Sequence, residues 1–303
     1  MLDMRTLIGE FDMPDQDELK RWIESRCPLL WSLLNTKARR TFPGGLIKYI
    51  DLGSSSEIKN GRNNLMSLEV CLAELKTLCG WKTVSDNYRR DLSGVDSVDR
   101  VAELCCEIAL CASLGRISGR LQLHPPTGKG TYSDCCFYVN DFEIYGEAKR
   151  YVDPWPHIEK PSEVLNEKVP YIRSITEKAS RHDPYNTARA RSMDLRSKLR
   201  DVYRQFPDKT LSILFIFHSS VSGETQKFIT QTLLGDSNFF RTQDNFVLEA
   251  DGLFSIDEWR NISACCLAYA NPDSEVIYLF AWENPLSLTE IPKRVLESLK
   301  LIA

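Results

Sequence analysis

The 303-residue chain lacks several features that would place it in a broad class of protein at once. It has no apolar run near the ~20 residues that a transmembrane helix requires. Residues 1–19 carry acidic side chains early and contain no long apolar stretch, so they are not typical of a secretory signal. These absences predict a protein that works outside the membrane, in the cytoplasm or in a nucleus.

A general excess of basic residues is also missing. The formal net charge is −4, which excludes a protein that coats nucleic acid over its whole surface. Any nucleic acid would have to bind a local basic surface.

Cysteine spacings typical of a zinc site are missing as well, because no CxxC occurs among the ten cysteines. Six cysteines form adjacent pairs, and neighbouring side chains on a strand point to opposite faces. The four histidines are scattered and show no HxxxH spacing. We therefore expect reduced, buried thiols that act as small apolar side chains.

The composition is that of a folded protein with a large core, since 43% of the residues are hydrophobic and 26% are charged. Residues 1–95 predict a mainly helical region, with two short helices separated at Pro28 and a longer helix over 65–79. The stretch 46–52 is interpreted as a short strand. No motif indicates a purpose for this amino-terminal region.

From residue 96 the pattern changes to an alternation of helices and strands. Ser97 or Asp96 is the expected cap of the first helix, and Gly115 its expected end. The predicted order is a helix, a strand, a two-stranded hairpin, a helix and a buried strand, over residues 96–115, 116–124, 132–150, 187–206 and 211–217. Further strands at 246–253, 262–269 and 276–282 and a helix at 291–301 are expected. This order predicts an α/β fold with a mixed sheet.

The hairpin 132–150, with its tight turn at Asn140-Asp141, carries the most informative side chains. Glu147 and Lys149 lie on one face of the second strand, because successive strand side chains alternate. Asp134, on the first strand, lies near them if the two strands pair. An Asp, a Glu and a Lys that converge in this way can hold a divalent metal and activate a water molecule.

The order of elements and these residues together resemble the PD-(D/E)xK nuclease superfamily, which has the restriction-endonuclease-like fold. The family's core is a helix, a three-stranded meander, a second helix and a fourth strand. Its Asp corresponds to Asp134, and its Glu-x-Lys to Glu147-Ala148-Lys149, although Ser133 stands where the family has Pro. The resemblance covers residues 96–217 and implies two parts, a helical region 1–95 and a nuclease domain 96–303.

What the resemblance implies is a nuclease that hydrolyses phosphodiester bonds, of DNA more than RNA, with Mg²⁺ or, as a substitute, Mn²⁺. Asp134, Glu147 and the carbonyl of Ala148 would be the metal ligands. Lys149 would orient or help to deprotonate the attacking water, or offset charge at the phosphate. A Glu from the first helix often joins in the family, and Glu103 is preferred over Glu107 for binding the metal through water. Many such nucleases pair, so a homodimer is a further expectation.

The expected contacts to nucleic acid lie on the basic residues that follow the hairpin, because neutralising backbone charge dominates nucleic-acid affinity. The residues assigned to this role are Arg150, Arg191, Lys198 and Gln205. For any one of them, an ordinary solvated helix face is the competing interpretation.

Two other hypotheses stay open. Glu147 and Lys149 can form a solvated strand face that pairs with Asp134, because a lone ExK is common and recurs here at residues 18–20 and 74–76. The fold can also be that of a catalytically inactive module that binds nucleic acid or protein.

Overall fold

The computed structural model describes residues 16–51, 61–152, 184–218, 223–241, 245–270 and 276–300. Its first part is helical, as predicted for residues 1–95. The helices are α1 Gln16–Arg26, α2 Pro28–Leu33, α3 Thr36–Arg40, α4 Gly44–Asp51, α5 Gly61–Cys79 and α6 Trp81–Ser93.

The second part is an α/β arrangement around one mixed sheet. Its elements are α7 Val98–Ser118, β1 Leu121–Leu123, β2 Cys135–Val139, β3 Phe142–Tyr151, α8 Pro184–Leu199, β4 Leu211–His218, α9 Gly223–Leu234, β5 Ala264–Ala270, β6 Val276–Glu283 and α10 Lys293–Lys300. The six strands lie in chain order. The pairs β3–β4 and β4–β5 are parallel, and the pairs β1–β2, β2–β3 and β5–β6 are antiparallel. The predicted mixed α/β class is therefore confirmed.

Two apolar clusters cover the two faces of the sheet. One face packs with helices α1–α7 and the other with α8 and α9. Strand β4 lies between two parallel neighbours and is buried along its whole length, as its continuous apolar sequence predicts. In β3 the pattern alternates, so Ala148 packs on the first cluster while Tyr151 belongs to the second. The apolar cluster on the first face is shared by residues on both sides of position 95; the division into two domains there stays a prediction.

The expectation of a strand at 46–52 is wrong, because helix α4 occupies this stretch up to Asp51. Leu46, Ile47 and Ile50 are buried while Lys48 is exposed, which is a helical and not an alternating pattern. Gly45 brings α4 against the start of α7, where an added Cβ would lie 2.7 Å from the carbonyl oxygen of Ser97.

Helix α7 begins as predicted and ends later. The Ser97 side chain accepts a hydrogen bond from the Arg100 N–H at 3.2 Å and caps the helix. Gly115 does not end it: the helix runs to Ser118, and Gly119 closes it at φ 61°. Gly115 provides space, because a Cβ there would lie 2.6 Å from Leu78 Cδ1. The strand predicted over 116–124 is consequently reduced to β1.

Two other predictions at the second face need correction. The helix predicted over 187–206 ends at Leu199 and is followed by a 3-10 turn at Val202–Gln205. Residues 246–253 form no strand; instead the side-chain amide of Asn238 bonds both the N–H and the carbonyl of Val247, at 2.9 and 2.8 Å. A side chain thus takes the place of a neighbouring strand.

Among the residues that the structure describes, no helix is both long enough and apolar enough to cross a membrane. The compartment in which the protein works stays a prediction.

Candidate active site at the ends of strands β1, β2 and β3

The β2–β3 hairpin places Asp134 opposite Glu147. Asn140 and Asp141 have φ angles of 48° and 68°, which suit a two-residue hairpin turn. The turn fixes a register in which Cys135 faces Gly146, so Asp134 and Glu147 are the next pair along. The N–H of Asp134 donates to Glu147 Oε2 at 3.1 Å, and the N–H of Ala148 donates to Asp134 Oδ2 at 2.7 Å. The two carboxylates are therefore held together by the backbone of the paired strands.

Lys149 is the third member of this group, and its side chain is partly exposed to solvent. Its Nζ lies 2.7 Å from Glu147 Oε1, so each oxygen of the Glu147 carboxylate accepts a hydrogen bond. The Glu147 side chain is 1% exposed, whereas that of Lys149 is 34% exposed. The ion pair thus has a buried anion and a cation that reaches the surface.

Helix α7 contributes Glu107 to the site. Glu107 Oε1 lies 2.8 Å from His124 Nε2, and ligand atoms of Glu107, His124 and Asp134 all lie within 4.8 Å of one another. Glu103, one turn earlier, is exposed and forms an ion pair with Arg100 at 3.0 Å. The helix carboxylate that reaches the cluster is therefore Glu107, in place of the preferred Glu103. One turn further on, the Cys111 thiol contacts the carbonyl of Asp134 at 3.8 Å, so this part of α7 is the part that packs against the strand ends.

His124 was not assigned a role from the sequence. It follows β1 directly, and its N–H donates to the carbonyl of Asp134 at 3.0 Å, which continues the β1–β2 register by one pair. Its φ of 45° turns the chain sharply at this point. The available signal was its place at the end of a strand adjacent to the one that carries Asp134. Spacing between histidines could not show this, because the site takes only one of them.

Burial and charge act together on the acids of the site. Burial, and then the charges of Glu147 and Glu107, raise the pKa of Asp134 well above its ordinary value. Burial likewise raises the pKa of Glu147 to about 7, against the opposing effect of Lys149. The pKa of Lys149 is also raised: its burial acts to lower it, but the charges of Glu147 and Asp134 outweigh that effect. Lys149 therefore carries its proton at neutral pH, and Glu147 exchanges its proton near neutrality.

A loop beside the site is tied to the turn that follows α8. The hydroxyl of Ser133 donates to the carbonyl of Gln205, and the hydroxyl of Thr131 donates to the carbonyl of Arg204. Lys129 Nζ lies 2.6 Å from Asp208 Oδ1. Gln205 is thus anchored through its backbone to the residue that precedes Asp134.

The other residues expected to bind nucleic acid form ion pairs within the protein. Arg150 lies 3.1 Å from Asp99, and Arg191, which is buried, lies 3.7 Å from Glu224. Lys198 lies 2.9 Å from Asp194, and its Nζ sits 4.9 Å from the centre of the Tyr151 ring. Their expected role in binding stays a prediction, and the structure shows that part of their charge is already matched.

Comparisons of this chain with family models, with curated proteins and with solved structures give no match.

Proposed function

We propose that this protein is a metal-dependent nuclease of the PD-(D/E)xK type, built on a restriction-endonuclease-like core. The observation that carries the proposal is the contact group of Asp134, Glu147 and Lys149 on two paired strands, with the backbone N–H groups of Asp134 and Ala148 locking the carboxylates. The order of α7, the β1–β3 meander, α8 and β4 also supports it.

The donor set suits a hard divalent cation. Asp134 and Glu147 offer carboxylate oxygens from neighbouring strands, and Glu107 adds a third carboxylate from α7. The charges of Asp134, Glu147 and Glu107 repel one another. The raised pKa values of Asp134 and Glu147 reflect burial together with this repulsion. A bound cation would relieve the repulsion. Asp134, Glu147 and the carbonyl of Ala148 are the proposed ligands for Mg²⁺, with Mn²⁺ as a substitute.

When bound, such an ion lowers the pKa of a coordinated water and offsets charge that develops on the phosphate. Lys149 supplies a fixed positive charge beside the scissile phosphate, because its pKa is raised and it keeps its proton. Glu147 is a proposed metal ligand, and a bound cation would favour its ionised form, because a nearby positive charge lowers the pKa of a carboxyl group. The proposal therefore assigns charge compensation to Lys149 and metal binding to Glu147.

The test is cleavage of single-stranded, double-stranded and branched DNA and RNA by the purified protein with Mg²⁺ or Mn²⁺. Glu147→Gln should lower the rate by about 10²-fold or more, because it removes a metal ligand. Glu18→Gln is the matched control, since Glu18 belongs to another Glu-x-Lys, on helix α1, and is exposed. The control should cleave as the wild type does.

Equal rates for wild type and Glu147→Gln on every substrate would refute catalysis at this site. Salt-sensitive binding of nucleic acid that is unaffected by a chelator, with no cleavage, would favour the catalytically inactive binding module. The preference for DNA comes from the family resemblance alone, so the assay includes both nucleic acids.

A further inference from the structure

A second group of ligand atoms overlaps the proposed catalytic group and contains a nitrogen. Glu107 comes from the middle of α7, His124 from the end of β1, and Asp134 from the start of β2. Three elements that are separate in the chain therefore bring two carboxylates and one imidazole within 4.8 Å of one another. Asp134 belongs to both groups.

The separations allow the three atoms to be ligands of one ion. Two ligands at ~2.1 Å from an octahedral ion lie ~3.0 Å apart when adjacent and ~4.2 Å apart when opposite. The distance between Glu107 Oε1 and His124 Nε2 is 2.8 Å, and each pair in the group is within 4.8 Å. A simple ion pair of Glu107 with His124 would explain the first distance. It would leave the carboxylate of Asp134 in the same small volume with its charge offset only in part, because Lys149 is engaged with Glu147.

We infer that Glu107, His124 and Asp134 form a metal position with one nitrogen ligand, and that this position selects Mn²⁺ over Mg²⁺. Mg²⁺ takes oxygen ligands almost exclusively. Mn²⁺ shares its affinity for carboxylates and water, and as a first-row transition ion it also accepts an imidazole nitrogen. The inference rests on the proposed function in that the ion is assigned to the same site, and it states that this position binds Mn²⁺ more tightly than Mg²⁺.

The backbone at His124 determines which variant tests the inference. The φ of 45° lies in the left-handed region, where Asn is tolerated and β-branched or bulky residues are strained. The Tyr88 ring packs edge-on against the imidazole, with ring centres 5.3 Å apart. His124→Asn therefore keeps the turn while it removes the nitrogen ligand.

The experiment measures binding and not turnover. Metal-free full-length protein is titrated with Mn²⁺, followed by the loss of the free-ion electron paramagnetic resonance signal, and separately with Mg²⁺ by calorimetry. Wild type should bind Mn²⁺ at least about tenfold more tightly than Mg²⁺. His124→Asn should weaken Mn²⁺ binding by about tenfold or more and remove the preference.

A second variant guards against misfolding of the first. Glu107→Gln should also weaken Mn²⁺ binding, whereas Glu103→Gln, one turn away and paired with Arg100, should leave it unchanged. Thermal unfolding of each metal-free variant shows whether it is folded.

Failure of the inference and failure of the proposed function can be told apart. The inference is overturned if wild type binds no Mn²⁺, if it binds Mg²⁺ as tightly, or if His124→Asn keeps the preference. If wild type binds Mg²⁺ as tightly as Mn²⁺, or if His124→Asn keeps the preference, cleavage that depends on Glu147 would still support the proposed nuclease without the inference. Mn²⁺ binding that needs His124 and Glu107, without cleavage of any substrate, would support the inference and refute the nuclease.

Discussion

The acidic group at the strand ends and the basic helix α8 differ in how their charges are paired. On α8 the basic side chains meet acids: Arg189 lies 2.7 Å from Asp236, and Arg196 lies 2.7 Å from Asp236 and 3.2 Å from Asp251. At the strand ends, the acids face one another and burial raises the pKa of Asp134 and Glu147.

This difference separates a structural use of charge from the use that we propose for the site. The pairs of α8 connect it to the segments that follow α9, so they stabilise the second face of the sheet. The acids of the strand ends repel one another in the metal-free protein, and such a cost is typical of a site that binds a cation. The basic side chains of α8 are thus paired with acids, whereas the acids at the strand ends are only partly balanced by positive charge.

The largest expected effect is on the cleavage rate, and it distinguishes Lys149, which belongs to strand β3, from Lys198, which lies over the Tyr151 ring of that strand. Lys149→Met should lower the cleavage rate by about 10²–10³-fold, because it removes the cation beside Glu147. Lys198→Met, which removes a half-exposed lysine paired with Asp194, should change the rate by less than about tenfold. Single-turnover cleavage with saturating Mn²⁺ measures both. A comparable loss in the two variants would make α8 part of the site and break the comparison.

An intermediate effect is expected for stability at α8. Arg196→Met should lower the free energy of unfolding by about 2–3 kcal/mol. The substitution removes one of the two arginines that pair with the largely buried Asp236 carboxylate, and only Arg189 of the two remains. Arg204→Met should cost less than about 0.5 kcal/mol, because both members of its pair with Asp201 are exposed. Chemical denaturation with a chelator present gives both values. Mn²⁺ affinity should be unchanged in each, and a loss of affinity in Arg196→Met would contradict the separation of roles.

The smallest effect has the opposite sign. Asp134→Asn should raise the thermal midpoint of the metal-free protein by about 2–5 °C, because it removes a repelling charge and can still accept the Ala148 N–H. With excess Mn²⁺ the order should reverse, since the variant lacks a ligand. Differential scanning fluorimetry with chelator and then with Mn²⁺ measures both states. A lower midpoint with chelator would show that the Asp134 charge is stabilising.

The same acids predict how stability depends on pH. Burial raises the pKa of Glu147 from 4.5 to about 7. Between these values the unfolded chain has released this proton and the folded chain retains it, so the unfolded state binds fewer protons. The free energy of unfolding of metal-free protein should therefore fall as the pH rises from about 4.5 to about 7. Glu147→Gln should flatten this slope, and thermal midpoints across that range provide the measurement.

Much of the fold could be predicted, because its signals are local. Ser97 caps α7, the Asn140-Asp141 turn sets the hairpin register, and the apolar run of β4 marks a central strand. The failures occur where a distant contact overrides a local preference. Gly115 lies inside α7, where Leu78 occupies the space that a Cβ would take, and the side-chain amide of Asn238 replaces a strand partner for Val247.

The sequence by itself determined that Glu147 and Lys149 share a strand face, and that Asp134 precedes them by one hairpin. Strand alternation and turn geometry depend on a few neighbouring residues, so they can be predicted from the sequence. Only the tertiary structure decided that Glu107 and His124, 17 residues apart, meet at Asp134, and that Arg196 is paired with Asp251, 55 residues away. The physical reason is that such contacts depend on how a helix packs on a sheet, and no local propensity encodes that packing.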